Sequence, residues 1–144
     1  MTVRDWLIYG ANGFTGELIA REATRRGMKP ILAGRNGAAV STLARSLGLE
    51  HRIFALDDPN AIRAGLTGCQ AVLHCAGPFA HTSRAMLGAC LLTHTHYLDI
   101  TGEIAVFETV ASYDAMARSA NIMLLPGAGF DVVPTDCLAA ELKA

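Results

Sequence analysis

The chain has 144 residues, 51% of them hydrophobic, and a formal net charge of −1. That is enough apolar material for one domain with a sizeable core, and the balanced charge excludes a basic nucleic-acid-binding surface. No apolar run approaches membrane-spanning length, and Thr2, Arg4 and Asp5 do not open a signal peptide.

The first apolar run, Leu7-Ile8-Tyr9, leads directly into Gly10-Ala11-Asn12-Gly13-Phe14-Thr15-Gly16, with a helix-like segment behind it. A strand that ends in a glycine turn and restarts as a helix makes a phosphate site. Gly10 is expected to form the tight turn, Gly13 to let the backbone approach a pyrophosphate, and Gly16 to let the helix pack on the sheet. The spacing is G-x-x-G-x-x-G, and glycine turns also join strands to helices where no ligand binds.

Phe14, Leu18, Ile19 and Ala23 are expected on one side of that helix, which Gly27 can close. Pro30-Ile31-Leu32-Ala33 reads as a buried parallel strand ending at Gly34-Arg35-Asn36. Val40, Leu43, Ala44 and Leu47 then mark an amphipathic helix stopped by Gly48. Arg52 to Leu56 reads as a third strand, and Asp57-Asp58-Pro59 opens a short helix that ends near Gly65 to Gly68. Ala71 to Ala76 is a fourth strand, stopped by Gly77-Pro78, and Thr82 or Ser83 caps the helix that follows. Tyr97 to Ile100 is a fifth strand. Val106, Phe107, Val110, Tyr113 and Ala117 mark the next helix, interrupted by polar Asp114. Ile122 to Leu125 is a sixth strand, broken by Pro126-Gly127. A last helix opens at Val133-Pro134-Thr135-Asp136 and reaches Lys143-Ala144 with no stop signal, the pattern expected of a chain that continues in a longer protein.

Strands alternating with helices across short loops argue for a parallel sheet covered on both faces. With the glycine turn after strand one, the expectation is a single α/β domain over 1–144, a doubly wound three-layer Rossmann fold of six strands in the order 3-2-1-4-5-6.

In that fold the end of the second strand meets the adenosine ribose, about 20 residues beyond the glycine motif. An acid there favours NAD. Here Ala33-Gly34 leads into Arg35, and no Asp or Glu occurs between Glu22 and Glu50. A guanidinium suits a 2′-phosphate, so the expected cofactor is NADP, with Arg35 on the 2′-phosphate; the alternative is an ordinary solvated loop arginine. Asp57 is placed either to meet the adenine edge or to cap the helix behind it. Ala76-Gly77-Pro78-Phe79 lies across the switch point and is expected to line the pyrophosphate and the nicotinamide-side ribose. Thr101-Gly102-Glu103 and Gly127 to Asp131 either border the nicotinamide end or are plain turns.

Catalytic groups are not evident. Short-chain reductases use a Tyr-x-x-x-Lys pair, but Tyr9, Tyr97 and Tyr113 are followed at that spacing by Gly13, Thr101 and Ala117. No Gly-x-Ser-x-Gly turn occurs. Asp99, Glu103 and Asp131 lie nearest the expected nicotinamide, and each reads first as a cap or turn carboxylate. Cys69, Cys75, Cys90 and Cys137 form no CxxC pair and are expected as buried free thiols in a reducing cytoplasm. His94 and His96 straddle a helix-to-strand junction, so no metal site is expected with Cys90.

The sequence resembles the N-terminal NADP-binding domain of the saccharopine dehydrogenase-like oxidoreductase family. The resemblance rests on Tyr9 to Gly16, Leu32 to Arg35, Cys75 to Phe79, Tyr97 to Glu103 and Pro126 to Asp136, and covers nearly the whole chain in order. It implies a Rossmann domain followed by a second α/β domain that supplies much of the substrate pocket, in proteins similar to saccharopine reductases and trans-acting enoyl reductases. Carried over, Gly10, Gly13 and Gly16 are the phosphate turn, Arg35 the 2′-phosphate contact and Gly77-Pro78 the nicotinamide-side loop; Asn12, Phe14, Thr15, Asp57 and Ala76 complete the expected cofactor contacts. The chain ends where the family's second domain should begin. The expected function is therefore the cofactor half of an NADP-dependent oxidoreductase acting on a small molecule, with a stand-alone NADP-sensing module as the alternative and a homodimer as a plausible assembly.

Overall fold

The structure is a computed structural model and describes residues 5–143. Six parallel strands form one sheet in the order β3-β2-β1-β4-β5-β6. This is the expected doubly wound topology. The first half of the chain contributes β1 (Trp6–Tyr9), α1 (Phe14–Arg25), β2 (Ile31–Gly34), α2 (Gly37–Leu47) and β3 (His51–Ile53). α3 (Pro59–Leu66) crosses to the second half: β4 (Ala71–His74), α4 (Phe79–Thr93), β5 (His96–Asp99), α5 (Ile104–Ser112), α6 (Asp114–Ala120), β6 (Leu124–Leu125) and α7 (Val133–Lys143).

The central strands are continuous apolar runs because both their faces are covered. Alternate residues sort into two cores. Ile8 and Leu32 pack with Ala11, Ala20, Val40 and Leu43 under α1 and α2. Leu7, Tyr9, Ile31, Val72 and Tyr97 face the other way, against side chains from α3 to α6 such as Ile62, Leu66, Met86, Leu87 and Val106. The switch between the faces falls between β1 and β4, which pair in register from Trp6↔Ala71 to Tyr9↔His74.

Several local expectations are corrected. α1 buries Gly16, Ala20 and Ala23, while Phe14 and Leu18 are 84% and 53% exposed. The helix lies so close to the glycine turn that only its small-residue face fits inward. β3 ends at Ile53 rather than Leu56, because Phe54 turns into the core and seats its ring where a Cβ on Gly65 would stand 2.4 Å from Phe54 Cε1. α4 begins at Phe79, ahead of Thr82 and Ser83, for a reason that lies on another loop. The fifth helical stretch breaks at Tyr113 into α5 and α6, and β6 spans only Leu124–Leu125. Cys69 and Cys90 are buried, but Cys137 is exposed on α7, which buries none of its residues. His94 and His96 serve the chain locally: His94 Nδ1 lies 2.9 Å from the Ala120 carbonyl, and His96 Nδ1 accepts from Met123 N–H at 3.0 Å.

Candidate functional site

The crevice at the carboxyl ends of β1 and β4 is built first by backbone. Gly10, with φ +79°, reverses the chain after β1, and the N–H groups of Gly10 and Ala11 both donate to the Ala33 carbonyl at 2.8 and 3.1 Å. Gly13 N–H donates to Gly10 O at 3.0 Å and closes the turn. A Cβ on Gly16 would lie 2.3 Å from Gly10 O, so the first turn of α1 rests on the carbonyl just after β1. Asn12 reaches the end of β2, where a Cβ on Gly34 would stand 3.1 Å from Asn12 Oδ1.

The start of α1 is open. Gly13 is its N-cap and offers no side chain, and the first helical bond runs from Glu17 N–H to Gly13 O. The N–H groups of Phe14, Thr15 and Gly16 therefore have no acceptor among the described residues, those of Phe14 and Thr15 on exposed residues and that of Gly16 on a buried one. The next three helices differ. Asn36 Oδ1 accepts from Ala39 N–H at α2, Asp58 Oδ1 accepts from Asn60 N–H at α3, and Glu103 accepts from Phe79 and Ala80 N–H at α4. Asp58 rather than Asp57 caps α3, which leaves the exposed Asp57 carboxylate without a capping bond.

Arg35 follows Gly34 at the end of β2, is exposed, and forms no ion pair among the described residues. Arg35 and Asp57 stand close enough to Tyr9 to act on its phenol: burial raises it above the ordinary range, Arg35 opposes that rise and Asp57 adds to it. Tyr9 itself donates to the Phe54 carbonyl at 3.1 Å. The structure thus gathers Gly10, Asn12, Gly13, Phe14, Thr15 and Gly16 at one end of the sheet, with Arg35 and Asp57 at the ends of β2 and β3. Ala76, Gly77 and Pro78 follow β4 on the opposite side, and Ala76 N–H lies 2.9 Å from where a Gly10 Cβ would be. The Gly77–Pro78 peptide is cis.

Under the second half of the crevice lies a polar network that sequence reasoning missed. His74, fully buried at the end of β4, places Nε2 3.0 Å from Thr82 Oγ1. Thr82 Oγ1 lies 2.7 Å from the Ala76 carbonyl, and a hydroxyl has one proton. Thr82 therefore donates to Ala76, His74 donates from Nε2–H, and Nδ1 is left as a lone-pair acceptor, buried without a partner. Burial lowers the His74 pKa to about 4, so the ring is neutral. It packs among Tyr9, Phe79 and Tyr97, with centroids 5.6, 5.4 and 6.2 Å away. The available signal was a histidine closing an apolar strand.

The carboxylates nearest this half are structural. Asp99, fully buried, accepts from Tyr97 O–H at 2.6 Å, Thr101 N–H at 3.0 Å and Gly127 N–H at 2.8 Å. It joins the loops after β5 and β6, and burial, then Asp99, raises the Tyr97 pKa. Glu103 caps α4 across two loops, and Thr101 Oγ1 accepts from Glu103 N–H at 3.1 Å. Asp131 is exposed. Burial pushes the Cys75 thiol up to about 12, so it is no nucleophile at neutral pH. Elsewhere, a groove of about 570 Å³ opens beside β6 and is lined by Phe107, Val110, Ile122 and Leu124; it lies away from the glycine turn.

The family described as Saccharopine dehydrogenase NADP binding domain matches residues 6–125. A probable mitochondrial saccharopine dehydrogenase-like oxidoreductase of Arabidopsis thaliana is 32% identical over 93% of this chain and 33% of its own length. A putative trans-acting enoyl reductase of Mycobacterium tuberculosis is 29% identical over 92% of this chain and 33% of its own. The chain spans about a third of the length of these curated relatives. Among solved structures, apo saccharopine dehydrogenase (L-Glu forming) from Saccharomyces cerevisiae superposes with a TM-score of 0.74 at 18% identity, covering 89% of this chain and 28% of that one. Citrobacter sp. triphenylmethane reductase complexed with NADP(H) superposes at 0.64 and 19% identity, covering 84% and 48%. At those identities the two structures support the fold alone.

Proposed function

Because the chain belongs to the family of saccharopine dehydrogenase NADP-binding domains, we propose that it holds NADP(H) across the crevice between β1 and β4 and forms the cofactor half of an oxidoreductase. The observation that carries this is the open start of α1. Three N–H groups without an acceptor among the described residues, at the positive end of a helix dipole and behind a glycine turn that offers no capping side chain, suit an anion. Phe14, Thr15 and Gly16 would hold the pyrophosphate, with Gly10, Asn12 and Gly13 shaping the approach. Arg35, without an ion pair among the described residues and permanently charged, would hold the 2′-phosphate, and Asp57 would border the adenine. Ala76, Gly77 and Pro78 would line the nicotinamide half. When bound, such a cofactor supplies or accepts a hydride. The chain's own residues bind and orient it, while Asp99 and Glu103 at the second half are already bonded to backbone donors.

The relatives' greater length supports a substrate, a small molecule, held mainly by a second domain. The buried free thiols Cys69 and Cys90 suit a reducing compartment such as the cytoplasm, and the apolar Leu138 and Leu142 exposed on α7 suit self-association.

Calorimetric titration of the chain and of Arg35→Ala with NADPH and with NADH tests the reading. NADPH should bind the chain more tightly, and Arg35→Ala should lose about 10- to 100-fold in NADPH affinity with little change for NADH, the effect of removing charge-assisted hydrogen bonds to a phosphate. Equal affinities that the substitution leaves equal would remove Arg35 from the site. Failure of both cofactors to bind would refute the cofactor reading for this chain.

A further inference from the structure

We propose that His74 is a positioning residue for the nicotinamide half of the cofactor, acting through Thr82 on the Ala76–Pro78 loop. The inference rests on the cofactor reading above and goes beyond it, since His74 touches no part of the crevice surface.

The geometry is a relay of fixed polarity. Thr82 stands in the first turns of α4, and its single proton has two carbonyls in reach, Ala76 O at 2.7 Å and Pro78 O at 3.2 Å. The Nε2–H of His74 occupies a lone pair of the hydroxyl from below and commits that proton to the carbonyl side. The loop is thereby tied at its first residue to β4 and α4 at once. Its far end is tied by Glu103, which accepts from Phe79 and Ala80 N–H at 2.8 and 3.0 Å. Glu103 is in turn joined through Thr101 to Asp99, and Asp99 to Gly127. The loops after β4, β5 and β6 thus form one bonded floor, with His74 at its inner end. In a doubly wound sheet the half built from β1 to β3 takes the adenosine side, so this floor faces the nicotinamide side.

The cost of the arrangement supports the assignment. His74 leaves Nδ1 buried without a donor, a penalty of the kind an apolar ring of similar size would avoid. Its neighbours Tyr9, Phe79 and Tyr97 are aromatic, and packing alone would accept phenylalanine. What phenylalanine cannot supply is the donor to Thr82.

The test uses two ligands that share only the adenosine half. The chain, His74→Phe, His74→Gln and Thr82→Val are titrated with NADPH and with adenosine 2′,5′-bisphosphate, and folding of each variant is checked by near-UV circular dichroism. Loss of one buried hydrogen bond should weaken NADPH binding about tenfold in His74→Phe and Thr82→Val, while bisphosphate affinity changes less than about twofold. His74→Gln, which restores an N–H donor, should recover most of the NADPH loss. Equal weakening of both ligands, no weakening of NADPH, or a glutamine variant no better than phenylalanine would overturn the proposal. A wild-type chain that binds neither ligand would instead overturn the cofactor reading, and this inference with it.

Discussion

The buried imidazole of His74 is expected to make the stability of this domain depend on pH between about 7.5 and 5. Its pKa is about 4 in the folded chain, lowered by burial, against about 6.5 when exposed. Between those values the unfolded chain binds one more proton than the folded one, so stability is full above the upper value and falls as the pH drops towards the lower. Linkage through these two values gives a loss of about 2 kcal/mol on going from pH 7.5 to pH 5. With a urea dependence of about 1–3 kcal/mol per M, the midpoint should fall by roughly 1 M. The assay is urea unfolding at both pH values for the chain and for His74→Phe. Comparing the change with pH, rather than the midpoints, cancels whatever the substitution does to packing. The variant should lose most of the dependence. Glu22, whose carboxyl Arg25 and Arg26 lower to about 2, adds stability that disappears only as the pH falls through and below the ordinary carboxylate range, outside this window. Equal losses in both proteins, or no loss in the wild type, would refute the assignment of a neutral, desolvated ring.

Gly16→Ala places a Cβ 2.3 Å from a backbone carbonyl that cannot swing away; the turn must shift, and a cost of about 1–3 kcal/mol is expected as a drop of several degrees in Tm, together with weaker NADPH binding. Asp99→Asn keeps the shape but removes the charge that three donors share; urea unfolding should show a loss of about 2–4 kcal/mol, and an unchanged midpoint would mean that the loops after β5 and β6 do not depend on it. Glu103→Ala strips the cap from α4; faster amide exchange at Phe79 and Ala80, with a stability loss of about 1 kcal/mol, is expected, and unaltered exchange would refute capping from the neighbouring loop.

The strand order was legible because short apolar runs, each closed by glycine or proline and separated by helical periods, leave the doubly wound sheet as the natural way to cover every strand. The glycine turn was legible for the same kind of reason: Gly10, Gly13 and Gly16 act through local backbone geometry, which travels with the residue. What sequence could not yield depends on partners far along the chain. Phe14 and Leu18 looked like a buried face until Gly10 O was found pressed against Gly16, which turns the small side of α1 inward. Thr82 or Ser83 looked like the cap of α4, but Glu103, 24 residues beyond Phe79, holds the helix start and begins it earlier. Asp57 was read as either an adenine contact or the cap of α3, and the approach of Asn60 N–H to Asp58 gives the cap to Asp58. His74 ended a strand like any other polar residue, and its surroundings come from Thr82 and Phe79 on α4, Tyr9 on β1 and Tyr97 on β5. Periodicity and turn chemistry are short-range and readable in one dimension. Which side chain meets a given buried donor is decided only once the sheet has closed, because burial removes the water that would otherwise satisfy any of them.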